Sequence, residues 1–127
     1  MSRFREVLPV EAHYVARVAA MLAEDCGPCT QLNLRMALEA GVEKGLLEAL
    51  IHRPDELPEP LRALREYAFA VASGDSPTEE QAAVVRQAFG DGAPAELAVL
   101  IAGSRIYPTA KRALLQAQHC EILRLEL

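Results

Sequence analysis

Apolar residues recur at helical spacing along most of the chain. From Pro9 to about residue 25, Ala12, Val15, Val18, Ala19 and Leu22 share a stripe while Glu11, Arg17 and Glu24 fall elsewhere, the mark of an amphipathic helix. A second helix is expected from Pro28 to Ala40, with Leu32, Met36 and Ala40 on one stripe and Gly41 as its stop. Val42 to Ile51 reads as a short apolar helix, and the polar, proline-punctuated run from His52 to Pro58 as a connection. Helical spacing returns from Pro60 to about Ser73 through Leu61, Leu64, Ala68 and Val71, and Gly74 ends it.

Ser76-Pro77-Thr78-Glu79 then has the form of a capping box: a hydroxyl at the cap, proline at the first helical position and an acid three residues on. The helix it opens runs to Phe89. Asp91-Gly92-Ala93-Pro94 separates that helix from another, through Glu96, Leu97, Leu100 and Ile101 to about Ile106. Pro108 then kinks or restarts the chain, and a last helix is expected from it to about Leu125, carrying Lys111, Arg112, His119 and Cys120. No segment alternates with period two for long enough to make a strand. The pattern predicts an all-α bundle of about six or seven helices, one domain over residues 1–127.

Composition supports that class. Apolar residues make up 51% of the 127 but aromatics only 5%, and the apolar share is mostly Ala, Leu and Val. A chain of this length buries enough surface for a core without metal or disulfide staples. The net charge of −5, without a basic cluster, argues against a nucleic-acid partner. Arg3, Arg5 and Glu6 have no apolar run behind them and no stretch is long enough to span a bilayer, so the reading is no signal peptide, no membrane and a cytoplasmic location. In such a reducing compartment three cysteines point to thiol chemistry or metal binding rather than to a disulfide framework.

The chemistry concentrates at Cys26-Gly27-Pro28-Cys29. Thiols at i and i+3 share one face of a helical turn with β-carbons roughly 5–6 Å apart, which a small rotamer change can close into a disulfide. Pro28 suits the first turn of a helix and Gly27 is expected to supply a sharp bend before it. The pair then lies at a helix N-terminus, where unpaired N–H groups and the helix dipole favour thiolate. The bland reading is two buried structural cysteines. A thioredoxin-type fold would need a strand leading into the motif, and the residues before it have helical period instead. Zinc would need His119 and Cys120 to complete the ligand set, yet neighbours on a helix point about 100° apart. No metal or cofactor is expected.

Glu24-Asp25-Cys26-Gly27-Pro28-Cys29, followed by Ala37-Leu38-Glu39-Ala40-Gly41-Val42 and later by Ser104-Arg105-Ile106-Tyr107-Pro108-Thr109, resembles the carboxymuconolactone decarboxylase family, within it the alkylhydroperoxidase D-like branch. The resemblance spans about residues 9 to 120 and is sharp only around the cysteines. It implies an all-α fold, assembly into trimers or hexamers, and reduction of a small-molecule peroxide or exchange with a disulfide, driven by an external dithiol. Cys29 would be the attacking thiol and Cys26 its resolving partner.

Family members with peroxidase activity carry a His four residues after the second cysteine and a Glu twelve before the first, a proton relay to the thiol. Here those positions hold Asn33 and Tyr14. Asn does not titrate and an ordinary Tyr has a pKa of about 10, so the relay has been replaced or abandoned. Substitute bases are Glu24, His13 and His119; each also reads as a solvated or packed side chain. Gln31, Asn33 and Tyr14 are candidate substrate contacts, with a solvent-facing amide the alternative for Gln31. Arg105 and Lys111 can offset thiolate charge or simply face water, and Cys120 is a third thiol or a small apolar filler. Two other functions remain open: a non-redox, decarboxylase-like enzyme, and a non-catalytic oligomeric module with a vestigial dithiol.

Overall fold

A computed structural model describes residues 8–115, and among these the chain is helical with no strand. Seven α-helices follow in order: α1 (Val10–Ala23), α2 (Gly27–Glu39), α3 (Lys44–His52), α4 (Glu59–Ala72), α5 (Glu79–Phe89), α6 (Ala93–Ser104) and α7 (Ile106–Ala113), with a 3-10 turn over Pro54–Glu56 between α3 and α4.

The centre is α1, which packs against α4, α2 and α6. Its residues from Ala12 to Met21 are all buried except Tyr14, which is half-buried. A helix apolar on every side has no face to give to water and becomes the hub of the bundle. Ala12, Ala16, Ala19 and Ala20 keep that hub thin, so its neighbours can approach closely. Leu34 and Ala37 of α2, Leu47 and Leu50 of α3, Leu64 and Ala68 of α4, Val85 of α5 and Leu97 and Leu100 of α6 complete the core. Near the start of the described chain, Leu8 N–H donates to the buried Glu96 carboxylate of α6, at 3.2 and 3.4 Å to its two oxygens.

Gly41 and Gly74 stop α2 and α4 in the same way. Each has positive φ, and two hydrogen bonds close the helix end: Gly41 N–H to Leu38 and Val42 N–H to Ala37 at one, Gly74 N–H to Val71 and Asp75 N–H to Ala70 at the other. This is the Schellman stop, in which glycine takes the left-handed position at no steric cost.

Four local readings shift. The α2 stripe of Leu32, Met36 and Ala40 faces outward, with Leu32 and Ala40 exposed; Cys29, Thr30, Asn33, Leu34 and Ala37 face the core instead. The capping box lies two residues later than expected, because α5 starts at Glu79: Thr78 Oγ1 accepts from Gln81 N–H, and Gln81 Oε1 accepts from Thr78 N–H, both at 3.0 Å. The break between the last two described helices falls at Arg105, three residues before Pro108. The proline lies in the first turn of α7, where its missing N–H has no intrahelical partner to lose. Finally, α7 ends at Ala113, with Leu115 at φ 57; the expected continuation to Leu125, with His119 and Cys120, lies outside the described residues.

Candidate active site

Cys26 and Cys29 are joined by a disulfide with Cα atoms 5.3 Å apart. The bond sits where α1 hands over to α2, and Cys26 belongs to both. Its N–H closes the end of α1 on Met21 carbonyl at 3.3 Å, after Asp25 N–H has closed on Leu22 at 3.1 Å. The left-handed residue of this stop is Asp25, φ 55, so the sharp bend expected at Gly27 falls two residues earlier. Gly27 is already helical. Asp tolerates the left-handed region better than most residues because its short side chain is small and polar, but less well than glycine.

Cys26 then serves as the N-cap of α2. Its Sγ accepts from Cys29 N–H at 3.3 Å, and its carbonyl accepts from Thr30 N–H at 2.9 Å and Thr30 Oγ1 at 2.8 Å. Pro28 occupies the first turn as anticipated. Both sulfur residues lie inside the core: Cys29 is wholly buried and Cys26 is 6% exposed. Cys26 is therefore the less buried of the two residues.

Behind the disulfide is a polar cluster shared by α1 and α2. Cys29 and Asn33 stand one turn apart on the face of α2 directed at α1. Asn33 Nδ2 donates to Cys29 carbonyl at 2.9 Å, and Asn33 Oδ1 accepts from Arg17 Nε at 2.8 Å. A carbonyl only accepts and a guanidinium only donates, so the two partners fix the orientation of the amide. Arg17 is 1% exposed, and its guanidinium lies 5.8 Å from the Tyr14 ring centroid. Buried His13 meets Tyr14 edge to face at 4.9 Å. The positions that the sequence singles out on α1 and α2, His13, Tyr14 and Asn33, thus come together, and Arg17 joins them.

Arg17 is the residue that sequence reasoning placed on the wrong side of its helix. Its signal was present: in Val15-Ala16-Arg17-Val18-Ala19-Ala20 an arginine interrupts a run that leaves no polar face to hold it.

Glu24, the acid nearest Cys26, is clamped. One carboxylate oxygen accepts from Arg105 Nε and the other from Arg112 Nη2, both at 2.7 Å, and the Glu24 side chain is 4% exposed. Arg112 also reaches Glu24 carbonyl at 3.4 Å. With both oxygens engaged, Glu24 ties the last turn of α1 to the start and end of α7. Arg105 is taken up by this clamp, and Lys111 lies over the Tyr107 ring at 5.4 Å. Gln31 is half-buried, with its Nε2 buried and without a hydrogen-bond partner. His119 and Cys120 lie outside the described residues.

Elsewhere, a cleft of about 330 Å³ between α4 and α5 is lined by Glu59, Arg62, Glu66, Thr78 and Gln81 among others. Several of its polar groups are already paired: Gln81 Nε2 donates to Glu66 at 3.1 Å, and Arg62 to the carbonyls of Asp55 and Leu57. On α4, burial holds the Arg65 guanidinium below its ordinary pKa, with Glu66 and Asp55 pulling the other way. Among the described residues, no group of three or more His, Cys, Asp or Glu is placed to hold a metal, and no helix is long and apolar enough to cross a membrane. Compared with protein-family models, curated proteins and solved structures, the chain matches none.

Proposed function

We propose that this chain is a dithiol oxidoreductase of the alkylhydroperoxidase D-like kind, cycling between the Cys26–Cys29 disulfide and the free pair. The observation that carries the reading is a disulfide of Cys-x-x-Cys spacing closed across the first turn of a helix, with an internal N–H donor on Cys26 Sγ. In the reduced pair, Cys29 thiolate attacks the distal oxygen of a hydroperoxide. The O–O bond breaks, the leaving alkoxide takes a proton to become an alcohol, and Cys29 becomes a sulfenic acid. Cys26 thiolate then attacks that sulfur, the hydroxyl leaves as water once protonated, and the disulfide forms. An external dithiol restores the pair by attacking Cys26, the less buried of the two residues, in two thiol–disulfide exchanges. With a disulfide substrate in place of peroxide, the exchange steps alone suffice.

A cytosol supplies the reducing dithiol that this cycle needs. Assembly into a trimer or hexamer belongs to the same proposal and draws on exposed apolar side chains: Leu32 on α2, Val99 on α6, Ile106 on α7 and Leu114 and Leu115 after it.

Replacing Cys29 by Ser is expected to abolish dithiol-dependent peroxide consumption while far-ultraviolet circular dichroism stays helical. Turnover retained in that variant would end the reading. Full burial of Cys29 favours one competitor, a static structural disulfide. That alternative predicts a bond that resists dithiothreitol in the folded protein and thiols that resist alkylation after forced reduction.

A further inference from the structure

The two cysteines of the pair stand in different surroundings. Cys26 is the N-cap of α2, and its Sγ accepts the Cys29 N–H at 3.3 Å. The backbone bonds that set this position do not involve sulfur: Cys26 N–H closes α1 on Met21 carbonyl, and Cys26 carbonyl accepts from Thr30 N–H and Thr30 Oγ1. An N-cap side chain faces the free N–H groups and the positive end of the helix dipole, where a thiolate is stabilised. Of the acids beside it in the chain, Glu24 has its charge matched by Arg105 and Arg112, and Asp25 is exposed, where water screens it. Cys26 lies between exposed Asp25 and half-buried Gly27, whereas Cys29 is wholly buried, and burial disfavours the charged form of a thiol.

Peroxide cleavage at Cys29 requires that thiol to lose a proton and the departing alkoxide to gain one. Asn33, one turn on, does not titrate and has both ends of its amide engaged, and both oxygens of Glu24 are held by arginines. A disulfide substrate makes neither demand, because the sulfur it releases leaves as a thiolate.

Resting on the reading that Cys26 and Cys29 cycle as a redox pair, we propose that Cys26 is the thiol that attacks the substrate and that the substrate is a small disulfide. Cys26 thiolate attacks one sulfur of the substrate. The substrate S–S bond breaks, its electron pair leaves with the other sulfur, and that thiolate takes a proton from water. Cys29 then attacks Cys26 Sγ in the mixed disulfide, its own proton passing to the second departing thiolate. The products are two substrate thiols and the Cys26–Cys29 disulfide, which the external dithiol reopens. Cys26 is the point of entry in both halves of this cycle: it attacks the substrate when reduced and is attacked by the external dithiol when oxidised.

The test uses the full chain, reduced with dithiothreitol that is then removed, and hydroxyethyl disulfide as the probe. Adducts are located by peptide mass spectrometry, so that Cys120 is read separately. Cys29→Ser is expected to hold a stable mixed disulfide on Cys26, and Cys26→Ser to be captured at Cys29 on the order of tenfold more slowly. Should either variant not fold, the reduced wild-type chain given less than one equivalent of iodoacetamide at neutral pH supplies the same comparison, with Cys26 labelled first. Capture or labelling of Cys29 as fast as Cys26 overturns the assignment of Cys26. For the substrate class, closure of the wild-type pair by the probe and by hydrogen peroxide is timed, each rate divided by that of glutathione with the same oxidant. A larger acceleration with the disulfide supports the proposal, and a larger one with peroxide overturns it while leaving the redox pair standing. A pair that dithiothreitol cannot open in the folded chain sinks the redox reading itself and this assignment with it.

Discussion

Two helix junctions of this bundle end one helix and begin the next with the same devices, spaced differently. Between α4 and α5 the tasks are separate: Gly74 takes the left-handed stop, a short exposed link comes next, and Thr78 caps the next helix through a reciprocal pair with Gln81. Between α1 and α2 they are fused. Asp25 stands in the left-handed position, and Cys26 alone both completes the stop of α1 and caps α2. The first junction uses the residues each task prefers and lies at the surface. The second accepts a non-glycine stop and a sulfur cap, and both of its cysteines lie in the core. This junction departs from both local preferences, and the Arg105 and Arg112 clamp on Glu24 ties it to α7.

Four substitutions test that contrast. The largest effect is expected from Glu24→Gln, which removes both ion pairs of a nearly buried carboxylate and should cost about 2 kcal/mol of stability in urea unfolding of the oxidised protein. The loss should shrink at high salt, because both arginines are about half exposed and screened when unpaired. A cost that ignores salt would mean that packing, not charge, secures the dithiol junction. Next, Thr78→Ala should cost about 1 kcal/mol, the usual value of a lost side-chain cap, with no effect on thiol reactivity. Altered alkylation of Cys26 in that variant would show that the two junctions are not independent.

The smallest effects come as a pair of opposite sign. Asp25→Gly should stabilise by about 0.5 kcal/mol and Gly74→Asp should destabilise by about 1 kcal/mol, since the space around Gly74 is open and only the backbone conformation resists the side chain. Chemical denaturation of both variants under one set of conditions checks the signs. Equal signs would mean that Asp25 is held by its neighbours rather than merely tolerated.

How far the chain could be read in advance obeys the same division. The stops at Gly41 and Gly74, proline in the first turn of α2 and the all-helical class were legible because each depends on residues within one or two turns. The capping box was recognised but displaced by two residues, since Ser76 and Thr78 are both good caps and the choice falls to whichever lets α5 start in register with α4. The outward turn of Leu32, Met36 and Ala40 was not legible at all. Disulfide closure and the Asn33 bonds rotate α2 so that Asn33 rather than Leu32 faces α1.

By itself, then, the sequence determined the helices, most of their ends and the pairing distance of Cys26 and Cys29, because periodicity, caps and an i, i+3 spacing are local properties of the backbone. Tertiary structure alone decided which side chains surround that pair. Arg17 meets Asn33 across 16 positions of sequence, and Glu24 meets Arg105 across 81, so no local pattern encodes either contact. Each arises only when the helices pack, Asn33 of α2 meeting Arg17 of α1 and Arg105 at the start of α7 meeting Glu24 at the end of α1, and packing then buries both Arg17 and the Glu24 side chain.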